Sequence, residues 1–134
     1  MTRKVVICGS RSFPIDATVG TEVVDLMVGY GEDVVFLTRG SDGFDRFVMQ
    51  AGPLIGRRVF AYPSNGGADN YLRDIELVKD GDEVLVFLDP DSLTDPNTGS
   101  AHLLEVALRS EKPTRAYTTV NGGLVYAGAT QEEA

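Results

Sequence analysis

The sequence predicts a three-layer α/β domain built around a mainly parallel, five-stranded sheet. Four short apolar runs are each followed by a small polar loop. Each loop is followed by a stretch in which apolar residues recur at the spacing of a helix. In a parallel sheet this succession brings the loops together at one edge, where backbone N–H groups can bind anions. A chain of 134 residues suits one domain with one core.

Apolar periodicity and turn residues place the elements in chain order. The strands are predicted at Lys4–Cys8, Val34–Thr38, Arg58–Ala61, Glu83–Leu88 and Thr114–Thr119. The helices are predicted at Ala17–Tyr30, Phe44–Ile55, Ala68–Lys79 and Ser100–Arg109. The run at 83–88 is almost wholly apolar, as expected of a central strand covered on both faces.

The helices carry apolar residues at helical spacing. Val19, Val23 and Met27 support the first helix, and Pro53 weakens the last turn of the second. The apolar positions of the third helix are Tyr71, Leu72, Ile75 and Val78.

The end of the chain has a strong hairpin signal. Asn121-Gly122 separates two strand-like runs and predicts a short, antiparallel last strand. We expect a single domain at 1–128 and a flexible acidic tail at 129–134.

Composition limits the partners and the compartment. The formal net charge is −8 and the basic residues are scattered, so a long nucleic acid is not expected as a partner. No apolar run approaches the ~18 residues of a membrane helix, and no membrane association or secretory signal is expected. The single cysteine, Cys8, ends an apolar strand and is predicted to be a buried structural thiol in a reducing cytoplasm.

The first two polar loops hold candidate ligand-binding residues. Gly9-Ser10-Arg11 follows the first strand directly, so the backbone can approach a ligand while Ser10 donates a hydrogen bond and Arg11 offers a planar fork to a phosphate. In the second loop Gly43 permits a positive φ, and Asp45 either caps the helix, faces a ligand ribose or orders the first loop.

The third and fourth loops add a cation and a helix start. Arg73 lies about one turn into the third helix, where Asp69 is expected to hold it toward the loops unless it pairs with Glu76 or Glu83. Thr98-Gly99-Ser100 opens the last helix with N–H groups and hydroxyls that suit a phosphate. His102 in that turn is expected to be a packed or capping residue.

Other kinds of site are not expected. The spacing of Asp89, Asp91 and Asp95 matches no dense Ca²⁺ loop, so a solvated flap is preferred to a metal site. The loops lack GxGxxG and the chain lacks a full P-loop, so no cofactor is predicted.

Taken together, these loops resemble the SLOG superfamily, a Rossmann-like group that includes the cytokinin-activating Lonely Guy proteins and the DNA-uptake protein DprA. The likeness is closest to its YspA-like (DUF2493) branch. The matching positions, in order over residues 4–118, are Gly9-Ser10-Arg11, Gly43-Phe44-Asp45, Arg73-Asp74, Asp82 to Phe87, and Gly99-Ser100 with His102. The resemblance implies a Rossmann-like fold, nucleotide binding and a homodimer packed through helices.

The chain departs from the family pattern at several matched positions. Phe44 replaces Ala, Asp74 replaces Asn and Ser100 replaces Thr. The phosphoribohydrolase branch carries a glutamate in a Gly-Gly-x-Gly-Thr-x-x-Glu motif, and that position falls on Leu103. Glu105 does not share a helix face with Ser100. The resemblance therefore supports binding more than catalysis.

Three functions follow as hypotheses. In the first, a nucleotide-like ligand binds at the carboxyl edge of the sheet, in a sensor or accessory role. Its predicted site comprises Arg11 and Arg73 on the phosphate, Ser10, Thr98, Gly99 and Ser100 around it, Gly9 and Gly43 in the loops, and Asp45 on the ribose or orienting Arg11. The second is an N-glycosidic (phosphoribo)hydrolase with Asp45 or Glu105 as acid/base, and the third is a structural or partner-binding domain without a ligand.

Overall fold

A computed structural model of the chain describes residues 2–90 and 99–130. Strands and helices alternate up to the final pair of strands. In chain order the elements are β1 Arg3–Gly9, α1 Ala17–Gly29, β2 Val34–Thr38, α2 Phe44–Leu54, β3 Arg58–Ala61, α3 Ala68–Asp80, β4 Glu83–Phe87, α4 Gly99–Arg109, β5 Thr114–Val120 and β6 Gly123–Thr130.

The strands form one sheet in the order β3-β2-β1-β4-β5-β6. All neighbours from β3 to β5 are parallel, and β6 pairs antiparallel with β5. The predicted fold class is confirmed: the chain is a three-layer, Rossmann-like α/β domain with five parallel strands and an antiparallel C-terminal strand. The first and fourth strands are neighbours in this sheet, with Val6 opposite Val84 and Cys8 opposite Val86.

Alternate residues of the central strands face opposite layers, which produces two cores. On one face Val5 and Ile7 pack with residues of α1 and α2 such as Val23 and Val48. On the other face Val6 and Cys8 pack with residues of α3 and α4 such as Leu77 and Leu103. Because both faces are covered, the strands read as continuous apolar runs.

Two details differ from the sequence prediction. The last strand is not short: β6 extends to Thr130 and so includes positions 129–130, which were expected in the tail. Residues 131–134 of the predicted tail lie outside the described residues.

The apolar residues of α3 are the second difference. Tyr71, Leu72 and Ile75 are all more than half exposed, whereas Asp74 and Leu77 are buried with Val78. The helix therefore turns a partly polar face toward the sheet, for a reason that lies in the functional site.

Candidate functional site

The loops after β1 and β2 and the first turns of α3 and α4 meet at the carboxyl edge of the sheet. From β1 the chain moves through β2 to β3 on one side, and β4 lies on the other side of β1, so the strand order reverses between β1 and β4. Such a switch point opens a crevice beyond the strand ends. Here it is a cleft of about 940 Å³ between the loops after β1 and β2 and the first turns of α3 and α4.

The cleft gathers positive charge in an acidic chain. Arg11 follows β1, Arg39 follows β2 and Arg73 belongs to α3, and all three line the cleft. The carboxylates among the lining residues are Asp74 and Glu105. Since the whole chain carries a formal charge of −8, this local excess of guanidinium groups favours an anionic ligand over a cationic one.

Arg39 is the site residue that the sequence reasoning missed. Its side chain is only 5% exposed, and its Nε donates to Asp45 Oδ2 at 3.1 Å. Its Nη2 donates to the carbonyl oxygen of Gly9 and, at 3.1 Å, to Ser100 Oγ. One guanidinium thus joins the first loop, the second loop and the first turn of α4. The available signal was an arginine directly after a buried strand, six residues before an aspartate.

The charge of Arg39 is secured by its surroundings. Burial acts to lower the pKa of the guanidinium, but Cys8 and Asp45 act to raise it, and the pKa of Arg39 lies above its ordinary value. Arg39 is therefore a permanent cation at the floor of the cleft.

Asp45 supports the loops and does not face the ligand space. It is 0% exposed, and its oxygens accept from Gly9 N at 3.0 Å, from Arg39 Nε and from Ser41 N at 3.3 Å. Because Asp45 is buried, it cannot make the expected contact with a ribose or act as the expected catalytic carboxylate. Its ordering of the first loop acts through Gly9 and Arg39 rather than through Arg11.

The first loop is fixed by close backbone packing. Gly43 has φ +78°, and a Cβ there would clash with the carbonyl oxygen of Arg11. A Cβ on Gly9 would come within 2.5 Å of the Phe44 ring. Ser10 is nearly buried and lines the cleft, and the Arg11 side chain is exposed there with no ion pair to the part of the chain that the structure describes.

The buried Asp74 explains the polar inner face of α3. Its Oδ1 accepts from Arg73 Nε at 3.1 Å, and its Oδ2 lies 2.9 Å from His102 Nδ1 on α4. Neither Asp69, Glu76 nor Glu83 holds Arg73: Asp69 instead accepts from Asn65 N at 2.9 Å. With Nδ1 of His102 as the donor, the Asp74 carboxylate accepts both of these hydrogen bonds.

His102 connects the two helices beside the cleft. Its ring packs against Tyr71 with centroids 4.4 Å apart, and both rings line the cleft. Nε2 of His102 has no hydrogen-bond partner in residues 2–90 and 99–130. The histidine is packed as expected, because its ring contacts Tyr71 and its Nδ1 faces Asp74. Nε2 is available to a ligand.

The first turn of α4 is where the structure places the other predicted ligand-binding residues. Gly99 and Ser100 line the cleft, and Thr98 lies outside the described residues. Leu103, which stands where the phosphoribohydrolase motif has a glutamate, is fully buried in the core. Glu105 is half exposed at the cleft and pairs with Arg109 at 2.7 Å.

Cys8 is confirmed as a buried structural thiol. It is 0% exposed beneath the site, and its Sγ lies 3.9 Å from Thr38 Oγ1. Burial, reinforced by the negative charge of Asp45, raises the pKa of Cys8 to about 12. A thiol in that state is a poor nucleophile.

Two further observations concern metals and membranes. Within residues 2–90 and 99–130, no three His, Cys, Asp or Glu side chains come together in a way that would hold a metal ion. Asp91 and Asp95 lie outside that range. No helix in the described part has the length and apolar character needed to cross a membrane.

Comparison with known proteins supports the fold. No protein-family model matches the chain, and no curated protein matches it. The chain is similar to the X-ray structure of TM1055, a structural genomics target, with a TM-score of 0.59 and 20% sequence identity. The match covers 84% of this chain and 72% of TM1055. At that identity the likeness establishes a shared Rossmann-like fold.

Proposed function

We propose that the chain binds a small nucleotide-like ligand in the cleft beyond β1–β4, as a sensor or accessory protein of the cytoplasm. One observation carries the proposal: three arginines from three different segments line the same cleft as the first turn of α4. A mononucleotide phosphate needs only a few local cations and a helix N-terminus. The acidic remainder of the surface disfavours a long polyanion.

The rings beside the cleft support an aromatic ligand. Tyr71 is 54% exposed, and His102 contacts its ring. A base can stack on such a surface while its phosphate lies toward the arginines. The cleft volume of about 940 Å³ lies within the ~300–1,000 Å³ usual for small-molecule sites.

Membership of the SLOG superfamily, in its YspA-like branch, belongs to the same proposal. The spatial convergence of the first, second and fifth matching motifs supports it, because Asp45 contacts Gly9 and Arg39 connects Gly9 to Ser100. Motifs that are weak singly are more specific when the fold brings them together.

Replacing Arg11 tests the proposal. Arg11→Ala removes an exposed guanidinium from the cleft, so it should weaken binding of adenosine 5′-monophosphate by about 1.5–3 kcal/mol, the range for hydrogen bonds to charged groups. Isothermal titration calorimetry measures the affinity, and urea unfolding should show nearly unchanged stability. The matched control is Arg46→Ala, since Arg46 is exposed and pairs with Asp42 on the surface.

Two results would contradict the expectation. Loss of stability without loss of affinity would make Arg11 structural. Absence of any thermal shift with adenosine, guanosine, cytidine and uridine monophosphates would favour a structural or partner-binding domain without a ligand.

A hydrolase is the second candidate, and the Asp74–His102 pair favours it. Asp45 is buried and Glu105 pairs with Arg109, so His102 Nε2 is the acid/base group best placed at the cleft. With Leu103 at the glutamate position, we expect the purified protein to bind nucleoside monophosphates and to release little or no free base overnight. General acid–base assistance is typically worth ~10²–10⁴ in rate.

Chromatographic measurement of released base distinguishes the two functions. If residual release occurs, His102→Gln should reduce it strongly, while Glu105→Gln, the matched control at the cleft, should leave it unchanged. If the wild type releases free base rapidly and His102→Gln does so too, both the acid/base role of His102 and the expectation of slow turnover are wrong.

A further inference from the structure

One guanidinium nitrogen of Arg39 has no partner among the residues that the structure describes. Nε serves Asp45, and Nη2 serves both Gly9 and Ser100, so three of the five N–H donors are used. Nη1 has no hydrogen bond to any residue in 2–90 or 99–130. A side chain that is only 5% exposed thus keeps two N–H donors free.

The free nitrogen lies beside the first turn of α4. A Cβ built on Gly99 would lie 3.6 Å from Nη1 of Arg39. The N–H groups of Gly99 and Ser100 also have no partner among the described residues. Since Arg39, Gly99 and Ser100 all line the cleft, these donors face the same space.

We propose that Nη1 of Arg39 binds an oxygen of a terminal phosphate group that lies against the N–H groups of Gly99 and Ser100. The inference rests on the proposed function and specifies the end of the ligand that enters the cleft first: a phosphate monoester, whose several charged oxygens match several converging donors. Asp45 is a positioning residue, because it holds Nε and leaves Nη1 directed at Gly99.

Burial distinguishes Arg39 from the other two arginines. Arg73 shares its Nε with Asp74, and Arg11 is exposed at the cleft. A charge held at 5% exposure is screened less by water and salt than an exposed one. Phosphate bound at Arg39 should therefore keep more of its affinity at raised salt than a contact with Arg11 alone would.

The glycine beside Nη1 offers a direct test. In Gly99→Ala the added methyl group makes only an ordinary contact with Arg39, so the chain should fold, but the methyl occupies the space between Nη1 and the helix N-terminus. We expect Gly99→Ala to weaken binding of inorganic phosphate by about tenfold or more, as measured by calorimetry. Gly29→Ala is the matched control: Gly29 ends α1, and its Cβ would meet nothing within 4 Å.

A second variant probes the arginine itself. Arg39→Lys keeps the charge and the bond to Asp45 but loses the fork, so a folded Arg39→Lys should also lose phosphate affinity by about tenfold. If circular dichroism shows that it does not fold, Gly99→Ala alone decides. Phosphate affinity equal to wild type in Gly99→Ala, or no phosphate binding by wild type, overturns the inference.

The same titrations separate the inference from the proposed function. If adenosine 5′-monophosphate binds wild type and Gly99→Ala with equal affinity, the nucleotide proposal stands and the proposed role of Arg39 is wrong. In another outcome, inorganic phosphate binds the wild type but not Gly99→Ala, and none of the four nucleoside monophosphates binds more tightly than phosphate. That result would support the proposed phosphate position and contradict the proposal that the ligand is a nucleotide.

Discussion

Asp45 and Arg39 form an ion pair that solvent hardly reaches, and the loops of the site depend on it. Asp45 is 0% exposed and Arg39 is 5% exposed, with 3.1 Å between Oδ2 and Nε. Removing one partner of such a pair leaves a buried charge without compensation, which typically costs about 3–5 kcal/mol. We therefore expect Asp45→Ala to lower the free energy of unfolding by about that amount, as measured by urea denaturation.

Asp42 supplies the control for this prediction. It lies in the same loop and pairs with Arg46, but both side chains are at least 65% exposed. Exposed pairs contribute about 0–1 kcal/mol, so Asp42→Ala should have a small effect. Equal losses in the two variants would show that the buried pair does not carry the stability of the loop.

Sequence reasoning identified Asp45 and left its role open between a helix cap, a ribose contact and the ordering of the first loop. A glycine-rich loop ending in an aspartate indicates a special turn, and the residue type alone allows a ligand contact, a cap or an internal bond. Which of these forms depends on Arg39 folding back over the loop and on Gly9 arriving from β1. Those are contacts between distant segments, and local patterns do not encode them.

At the scale of elements, the bounds of the strands and helices other than the last strand were predicted within one residue. β2 and β3 agree at both ends with Val34–Thr38 and Arg58–Ala61, because each is a short run between a turn and a polar loop. The last strand was expected to be short, with a tail at 129–134, whereas β6 continues to Thr130.

The orientation of α3 shows where periodicity fails. Its apolar residues Tyr71, Leu72 and Ile75 suggested a buried stripe, but Asp74 occupies the inner face instead. The pairing of Asp74 with Arg73 and His102 makes that burial tolerable. Because these partners line the cleft, the helix departs from the expected pattern at the site, as local rules often do at functional positions.

At the scale of the molecule, the order of the strands determines where the site lies, and the arginines that line it favour an anionic ligand. Four alternating strand–loop–helix units in one chain allow few topologies, which is why the fold class was predictable. The cleft follows from the reversal between β1 and β4. Its floor was not predictable, since Arg39 and Asp74 meet their partners only in the folded chain.

The outward face of α3 also concerns the whole molecule. Leu72 and Ile75 are 64% and 51% exposed beside the half-exposed Tyr71, an apolar group of the kind that marks interaction surfaces. We propose that a second copy of the chain covers this face, in a symmetric homodimer in which the same patch meets itself. Sedimentation equilibrium of the wild type should then give twice the 14.4 kDa mass of one chain.

Charge at the patch should separate the two copies. In Leu72→Glu/Ile75→Glu two like charges per chain would face each other across the two-fold axis, so we expect the mass to fall to that of one chain with unchanged circular dichroism. Leu54→Glu is the control, because Leu54 is 86% exposed on α2, in the opposite layer. A monomeric wild type, or a double variant that stays dimeric, would contradict the helix-packed homodimer. Because Tyr71 also lines the cleft, a dimer through this face would place the second copy next to the ligand.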